Sequence, residues 1–131
     1  MSDAIYSKTT HGYEVSVRSF FVPEESDPQA SHYFFAYVVR IKNVSGRPAQ
    51  LVSRYWIIKD AWGRVEEVRG PGVIGQQPFL PVGEHFEYNS FCPLRTSVGT
   101  MEGRYQMVTQ EGFPFEIDIP EFRLAEPKSF N

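Results

Sequence analysis

Apolar residues recur at every second position through most of this 131-residue chain. Successive side chains of a β-strand point to opposite faces of a sheet, so this spacing predicts strands with one buried face. The longest series is uninterrupted: Tyr33, Phe35, Tyr37, Val39 and Ile41. The residues at positions 34, 36 and 38 are apolar as well, which predicts that this strand is central in its sheet.

Five further segments show the same alternation and are predicted strands: Tyr13–Phe21, Leu51–Ile58, Phe86–Asn89, Met101–Met107 and Phe113–Ile119. In the second of these segments, one predicted face carries Val52, Trp56 and Ile58. The other predicted face carries Leu51, Tyr55 and Ile57. In the last segment the predicted buried face consists of Phe113, Phe115, Ile117 and Ile119. Pro114 cannot donate to a ladder, so this strand is expected to begin at, or lie on, a sheet edge.

Ten prolines, spread from Pro23 to Pro127, leave few windows for a long helix. Turn sequences rich in Gly, Asn, Asp and Pro separate the predicted strands, at 43–48, 60–63, 81–84 and 109–112. About seven short strands at even spacing predict an all-β fold, an immunoglobulin-like β-sandwich. We expect a single domain over residues 1–131, with an ordered core at about 13–124 and frayed termini.

The composition limits which partners and which cellular location we expect. The net charge is -3 and the charges are scattered, so the basic stripe needed for a phosphate backbone is missing and no nucleic acid partner is expected. No apolar stretch is long enough to span a membrane or act as an export signal. The single cysteine, Cys92, cannot form an internal disulfide. These features predict a cytoplasmic protein.

Gly70–Gly75 matches the G-x-G-x-x-G pattern of dinucleotide sites. In those sites the loop opens a helix, but here Pro78 and Pro81 follow, so a nucleotide-binding βαβ unit is excluded. One interpretation is structural, since Gly70, Gly72 and Gly75 permit backbone turns that other residues do not. The functional interpretation is an anion-binding nest of amides beside Arg69, to which Arg64 or His85 adds charge.

Several long motifs occur in order along the chain: Leu51–Ile58, Arg64–Pro78, Cys92–Leu94 and Gly99–Met107. Together they resemble the bacterial ApaG family, also called CorD, over essentially the whole stretch from Tyr13 to Leu124. The resemblance implies a fibronectin type III-like β-sandwich, a role in protein interaction and no settled catalytic activity. It also implies a gene-neighbourhood association with diadenosine tetraphosphate hydrolase and a genetic link to cobalt resistance and magnesium efflux.

Two aromatic residues depart from the family pattern and are candidate partner contacts. Trp62 stands in a turn where relatives commonly have a small or polar residue, and Phe91 stands where they often have glycine. An exposed aromatic side chain with one wet end is a typical interface anchor.

No residue set in the sequence is typical of an active site or a metal centre. A nucleophilic role for Cys92 needs an orienting base such as His85, and an inert thiol is the simpler interpretation. The three histidines match no zinc spacing, and Glu66 and Glu67 are adjacent, so a strand directs them to opposite faces. We therefore expect no catalytic residue, no metal and no cofactor.

The leading hypothesis is a non-catalytic module that recognises a protein partner through loops and a sheet edge, with Trp62 as an anchor. The alternative is a sensor that binds phosphate- or pyrophosphate-containing small molecules at the Gly70–Gly75 loop.

Overall fold

The computed structural model describes residues 4–127. Within these residues the chain forms two short 3-10 turns, Pro23–Glu25 and Pro28–Ala30, and nine β-strands. The strands are β1 (Tyr6–Thr10), β2 (Tyr13–Phe21), β3 (Tyr33–Asn43), β4 (Ala49–Asp60), β5 (Val65–Pro71), β6 (Phe79–Leu80), β7 (His85–Leu94), β8 (Val98–Thr109) and β9 (Pro114–Ala125). The predicted fraying of the extreme termini concerns residues 1–3 and 128–131, which lie outside the described residues.

The strands form two antiparallel sheets. The first sheet has the order β1-β2-β3-β7. The second has the order β5-β4-β8-β9, and the short strand β6 also pairs with β4. The predicted all-β sandwich is confirmed, and β3 is central in its sheet, as expected.

The core lies between the two sheets and is built largely from the alternating residues of the sequence pattern. Three aromatic side chains from different strands meet there: Tyr37 of β3, Trp56 of β4 and Phe122 of β9. Their ring centroids are 5.5 to 6.0 Å apart, in tilted or edge-to-face geometry. Such pairs add about 0.5–1.5 kcal/mol each beyond the burial of their area.

A pair of tyrosines places polar groups inside this core. Tyr88 of the first sheet and Tyr105 of the second are both buried, and their hydroxyl groups are hydrogen-bonded to each other. Burial raises the pKa of both phenols above the usual value, because the charged form would lose its hydration. Both hydroxyls therefore stay protonated, one donates to the oxygen of the other, and the sheets share a buried hydrogen bond.

A β-bulge changes which residues of β4 face the core. The pairing of β4 with β8 shifts between Leu51 and Ser53, so Val52 is an extra residue on β4. Leu51 and Trp56 are both buried as a result. The prediction that these two residues lie on opposite faces is wrong, because the bulge reverses the alternation.

The start of β9 also differs in part from the prediction. The strand begins at Pro114 and lies at an edge of the second sheet, as the proline predicted. Phe113 precedes the strand and is 67% exposed, so its assignment to the buried face is wrong. Its backbone N–H donates to the hydroxyl of Thr109, which keeps it in the β8–β9 turn.

The structure also contains strands that the alternation does not reveal. Neither β1 nor β5 shows a clean period of two in its apolar residues, because Tyr6–Thr10 is mostly polar and Val65–Pro71 is mostly charged or exposed. The strands thus extend from Tyr6 to Ala125, beyond the expected core at 13–124.

One side of the sandwich is closed by contacts between β1, β2 and β9. Lys8 forms a salt bridge with Asp118 at 2.7 Å, and the backbone N–H of Asp118 donates to the hydroxyl of Thr10. The hydroxyl of Ser19 donates to the carbonyl oxygen of Arg123. On the opposite side, β5 and β7 end their sheets, and no further described strand pairs with them.

We expect Gly103→Ala to destabilise the fold by about 1–3 kcal/mol, the usual cost of overpacking. A Cβ at this position of β8 would overlap the carbonyl oxygen of Tyr55 on the neighbouring strand. The matched control is Gly46→Ala, where a Cβ meets nothing within 4 Å and the change should stay within about 1 kcal/mol. Urea unfolding measures both, and equal effects would contradict this packing.

Candidate functional site

The glycine segment connects two strands that pair with the same edge of β4. Between them, Val73 and Gln76 form a small hairpin, in which each backbone N–H donates to the other's carbonyl oxygen at 2.8 and 2.9 Å. The two residues of its turn, Ile74 and Gly75, both have positive φ. Tight hairpin turns require this conformation, which explains a glycine at position 75.

The other two glycines of the motif fit around Arg54. Nη1 of Arg54 donates to the carbonyl oxygens of Pro71 and Gly72, both at 2.9 Å. A Cβ at Gly70 would lie 3.0 Å from this nitrogen, and a Cβ at Gly72 would overlap the carbonyl oxygen of Gln76. The structural interpretation of Gly70, Gly72 and Gly75 therefore fits the observed geometry. The segment also depends on Arg54, which the sequence pattern did not indicate.

Several amides of the glycine segment already donate within the protein. Besides the hairpin, the backbone N–H of Gly72 donates to the carbonyl oxygen of Val52 at 2.8 Å, and the side-chain amide of Gln77 donates to the same oxygen. Arg69 makes its contacts on the outer face of the sheet. Its guanidinium lies 4.2 Å from the ring centroid of Tyr55 and 3.6 Å from the carboxylate of Glu67.

The other two cations suggested for this loop lie elsewhere. The guanidinium of Arg64 lies over the ring of Trp62, and His85 belongs to β7 in the first sheet. The structure thus brings Gly70, Gly72 and Gly75 together but does not gather the predicted positive charges around their amides. Anion binding by the loop stays a prediction.

Positive charge gathers instead on the outer face of the second sheet. Arg69, Tyr55 and Arg104 are neighbours on β5, β4 and β8, and the two guanidinium groups lie 4.2 and 5.2 Å from the tyrosine ring centroid. They border a shallow pocket of about 370 Å³. Its lining residues are Ser53, Arg54, Tyr55, Arg69, Gly70, Arg104, Gln106 and Glu116.

Trp62 projects from a well-ordered turn between β4 and β5. The Asp60 carboxylate accepts hydrogen bonds from the backbone N–H groups of Trp62 and Arg64, at 2.9 and 3.0 Å, and Gly63 has positive φ. The Trp62 side chain is 59% exposed. The turn predicted at 60–63 is confirmed, and it holds this indole at the surface.

Phe91 belongs to an apolar strip on the outer face of the first sheet. Its side chain is 55% exposed and stacks on Phe34, with ring centroids 5.3 Å apart. Phe34 also stacks on His32. Across the sheet, Ala36 pairs with Phe91 on one side and with Phe20 on the other.

An open groove of about 1040 Å³ lies at this end of the sandwich. Trp62 and Arg64 of the β4–β5 turn line it, together with Pro93 and Leu94 at the end of β7. His32, a member of the aromatic strip, lines it too. The structure therefore places Trp62 and Phe91 at the same end of the molecule, although no contact joins them.

Cys92 has the properties of an inert core thiol. It is buried, and desolvation raises its pKa to about 12, so it stays protonated near neutral pH. His85 is exposed on the outer face of the same strand, whereas Cys92 faces inward. Since the strand separates the two side chains, His85 cannot act as its base.

The remaining candidates behave as solvated surface groups. Glu67 accepts a hydrogen bond from the hydroxyl of Tyr55, while Glu66 lines the groove, so the adjacent carboxylates point apart as expected. Among residues 4–127, no group of three or more His, Cys, Asp or Glu side chains is placed to hold a metal ion. No helix in this part of the chain is long and apolar enough to cross a membrane.

Comparison with known proteins identifies the family. The sequence profile of the ApaG domain matches residues 23–109. The chain belongs to the ApaG family. Trp62 and Phe91, the two candidate partner contacts, both lie on the surface.

Individual members of the ApaG family are similar over most of the chain. Protein ApaG of Bordetella pertussis is 56% identical over 117 residues, which cover 89% of each protein. Protein ApaG of Dechloromonas aromatica is 51% identical over 124 residues, covering 93% of this chain and 98% of the relative.

Solved structures show the same fold. The crystal structure of the putative ApaA protein from Bordetella pertussis has a TM-score of 0.86 at 56% identity, covering 88% of this chain and 94% of that one. An X-ray structure of a structural-genomics target has a TM-score of 0.85 at 36% identity, covering 92% of both chains.

We expect Arg54→Ala to destabilise the protein by about 2 kcal/mol, because two hydrogen bonds from a charged donor are lost. Hydrogen exchange at Val73 and Gln76 should accelerate, since the clamp on their segment is released. The matched control is Arg69→Ala, which removes an exposed cation–π contact and should cost less than about 1 kcal/mol. A larger effect at Arg69 in urea unfolding would show that the motif is not held by Arg54.

Proposed function

We propose that this member of the ApaG family is a non-catalytic binding module that recognises a protein partner at the end of the sandwich bearing Trp62 and Phe91. The groove that Trp62 lines, with the Phe34–Phe91 stack beside it, is the observation that carries the proposal. Exposed aromatic side chains next to a concave surface are typical energetic anchors of protein interfaces.

The rigidity of the surrounding turns supports this proposal. Asp60 fixes the Trp62 turn from within, and the hydroxyl of Thr96 accepts from the backbone N–H of Ala61 while donating to the carbonyl oxygen of Val98. These bonds link the Trp62 turn to the β7–β8 connection. A pre-ordered surface loses little conformational entropy on binding, which favours affinity.

The distribution of ionisable groups also supports a binding role. The described groups with shifted pKa values are Cys92 and three tyrosines, Tyr37, Tyr88 and Tyr105. All four are buried in the core, and none lines the groove. Active sites instead gather perturbed groups in a cleft.

We propose that the module acts in the cytoplasm, where its single buried thiol stays reduced. Its net charge of -3 favours a protein partner over nucleic acid. Recognition of a protein is compatible with the genetic link to metal efflux that the family resemblance implies, since it requires no bound metal.

We expect Trp62→Ala to remove one or more proteins that the wild-type chain captures from native lysate. The control is Phe113→Ala, because Phe113 is exposed as well but lies in the β8–β9 turn at the other end of the sandwich. Both variants should melt close to the wild-type temperature. If Trp62→Ala leaves capture unchanged, or if Phe113→Ala reduces it equally, Trp62 is not a specific partner contact.

The arginine pair on the second sheet favours a second candidate function. We propose, as the alternative, that phosphate- or pyrophosphate-containing small molecules bind beside Gly70, where Arg69 and Arg104 flank Tyr55. Guanidinium groups bind phosphate oxygens in bidentate geometry. Each arginine has only a long contact with a carboxylate, 3.6 Å to Glu67 and 3.9 Å to Glu116, which an anion can displace.

Titration with pyrophosphate, ATP and diadenosine tetraphosphate should shift the backbone amide resonances of Tyr55, Arg69 and Arg104. Arg104→Ala should weaken binding by about tenfold, the loss of one charge-assisted contact. Arg18→Ala serves as the control, because that arginine lies over Phe20 on the other sheet. The absence of any shift at millimolar ligand would end this alternative.

A further inference from the structure

The free edge of β7 has hydrogen-bonding groups directed outward. In an antiparallel ladder, residue pairs that exchange hydrogen bonds alternate with pairs that do not. The backbone N–H of Asn43 donates to the carbonyl oxygen of Glu84, so the odd-numbered residues of β3 bond towards β7. The backbone N–H of Val22 donates to Phe34, so the even-numbered residues of β3 bond towards β2.

This alternation fixes which residues of β7 face the edge. Even-numbered residues of β7 bond to β3, and the odd-numbered residues therefore direct their N–H and C=O groups away from the sheet: Glu87, Asn89 and Phe91. Pro93 occupies the next such position, where no ladder donor is needed. Within the described residues β3 is the strand that pairs with β7, so these groups have no ladder partner.

The other open edge, β5, carries more charge at its outward-bonding positions than β7 does. The same reasoning, from the bond between Asp60 and Arg64, directs the N–H groups of Val65, Glu67 and Arg69 outward. Glu67 and Arg69 carry opposite charges at the middle of this short edge and are tied to Tyr55. Charged residues on an edge oppose the addition of another strand, and they occupy two of these three positions on β5 but one of three, Glu87, on β7.

The chemistry alongside β7 changes from one end to the other. At one end Phe91 stacks on Phe34 and offers an apolar surface. In the middle, Asn89 is polar and uncharged. At the other end Glu87 forms no salt bridge with any described residue, although Arg40 is its register partner on β3.

We propose that β7 accepts an extended segment of the protein partner as an added antiparallel strand. The segment has an apolar residue opposite Phe91, a polar residue two positions later opposite Asn89, and a basic residue two positions after that opposite Glu87. Antiparallel pairing places its N-terminal side next to Pro93, where the groove lined by Trp62 begins. This inference rests on the proposed protein-binding function and specifies its partner.

Charge complementarity favours such a segment over a second copy of the chain. A two-fold pairing of β7 with itself, centred on Asn89, sets Phe91 against Glu87 and gives the carboxylate no basic partner. A pairing centred on Phe91 sets Asn89 against Pro93, which has no donor, and reaches Arg95 only beyond the end of β7. A basic residue on a foreign strand satisfies Glu87 in the register that also covers Phe91.

The test uses the full chain and a threonine-rich ten-residue peptide with phenylalanine four positions before lysine. In the free protein, the amides of Glu87, Asn89 and Phe91 should exchange with solvent almost unprotected. Saturating peptide should slow their exchange by roughly tenfold or more, because they become donors in a ladder. A peptide with glutamate in place of lysine should bind roughly two- to fivefold more weakly.

Two substitutions locate the binding to this edge. Asn89→Pro removes an outward N–H without breaking the ladder to β3, as Pro93 already does, and should raise the dissociation constant about tenfold. Glu67→Pro makes the equivalent change on β5 and should leave binding unchanged. Glu87→Lys should reverse the preference between the lysine and glutamate peptides, whereas Glu111→Lys, in the remote β8–β9 turn, should not.

Each outcome of these experiments supports or contradicts strand addition at β7. Protection of the three amides, lost with Asn89→Pro but not with Glu67→Pro, supports strand addition. The absence of protection at millimolar peptide overturns it, as does equal loss in both proline variants. A concentration-dependent dimer that Asn89→Pro abolishes would assign the edge to a second copy. Partners that depend on Trp62 with no protection at β7 would leave the proposed function standing and remove this inference alone.

Discussion

The extra residue at Val52 in β4 is the constraint on which the rest of the structure depends. It brings Leu51 and Trp56 onto the same buried face, where Trp56 contacts Tyr37 of the other sheet. On the edge of β4 the carbonyl oxygen of Val52 accepts from Gly72 and from the side chain of Gln77. The same bulge therefore fills the core and anchors the segment that connects β5 to β6 along the edge of β4.

Much of the fold could be predicted from the sequence, because alternation is a local signal. The strands that cover the core show a period of two, whereas β1 and β5 are polar enough to hide it. Register and bulges depend on partners distant in the sequence, so the prediction that Leu51 and Trp56 lie on opposite faces is wrong. Phe113 fails for a local reason, because alternation does not show where the β8–β9 turn ends and β9 begins. Sequence alone could not show that β4 carries one residue more than the strand beside it.

The candidate sites show the same limit. Arg69 is next to Gly70 in the sequence, but adjacent residues of a strand point to opposite faces, and the Arg69 guanidinium lies over Tyr55. Proximity along the chain is therefore a poor guide to which side chain supports the glycine segment. Arg54 is distant in the sequence and adjacent in space, because β4 and β5 pair at Gly70. The exposure of Trp62 could be predicted, because Asp60 and Gly63 are local signals of a turn. A residue between them lies at the surface whatever its type.

The closed side of the sandwich has a consequence for how the fold can be joined to other chains. The first and last described strands, β1 and β9, lie side by side there, and Tyr6 is near Phe122 at the corner where the chain enters and leaves. A reporter domain fused before β1 or after β9 would therefore join the fold on its closed side. Such a fusion would leave the edges of β5 and β7, on the opposite side of the sandwich, accessible.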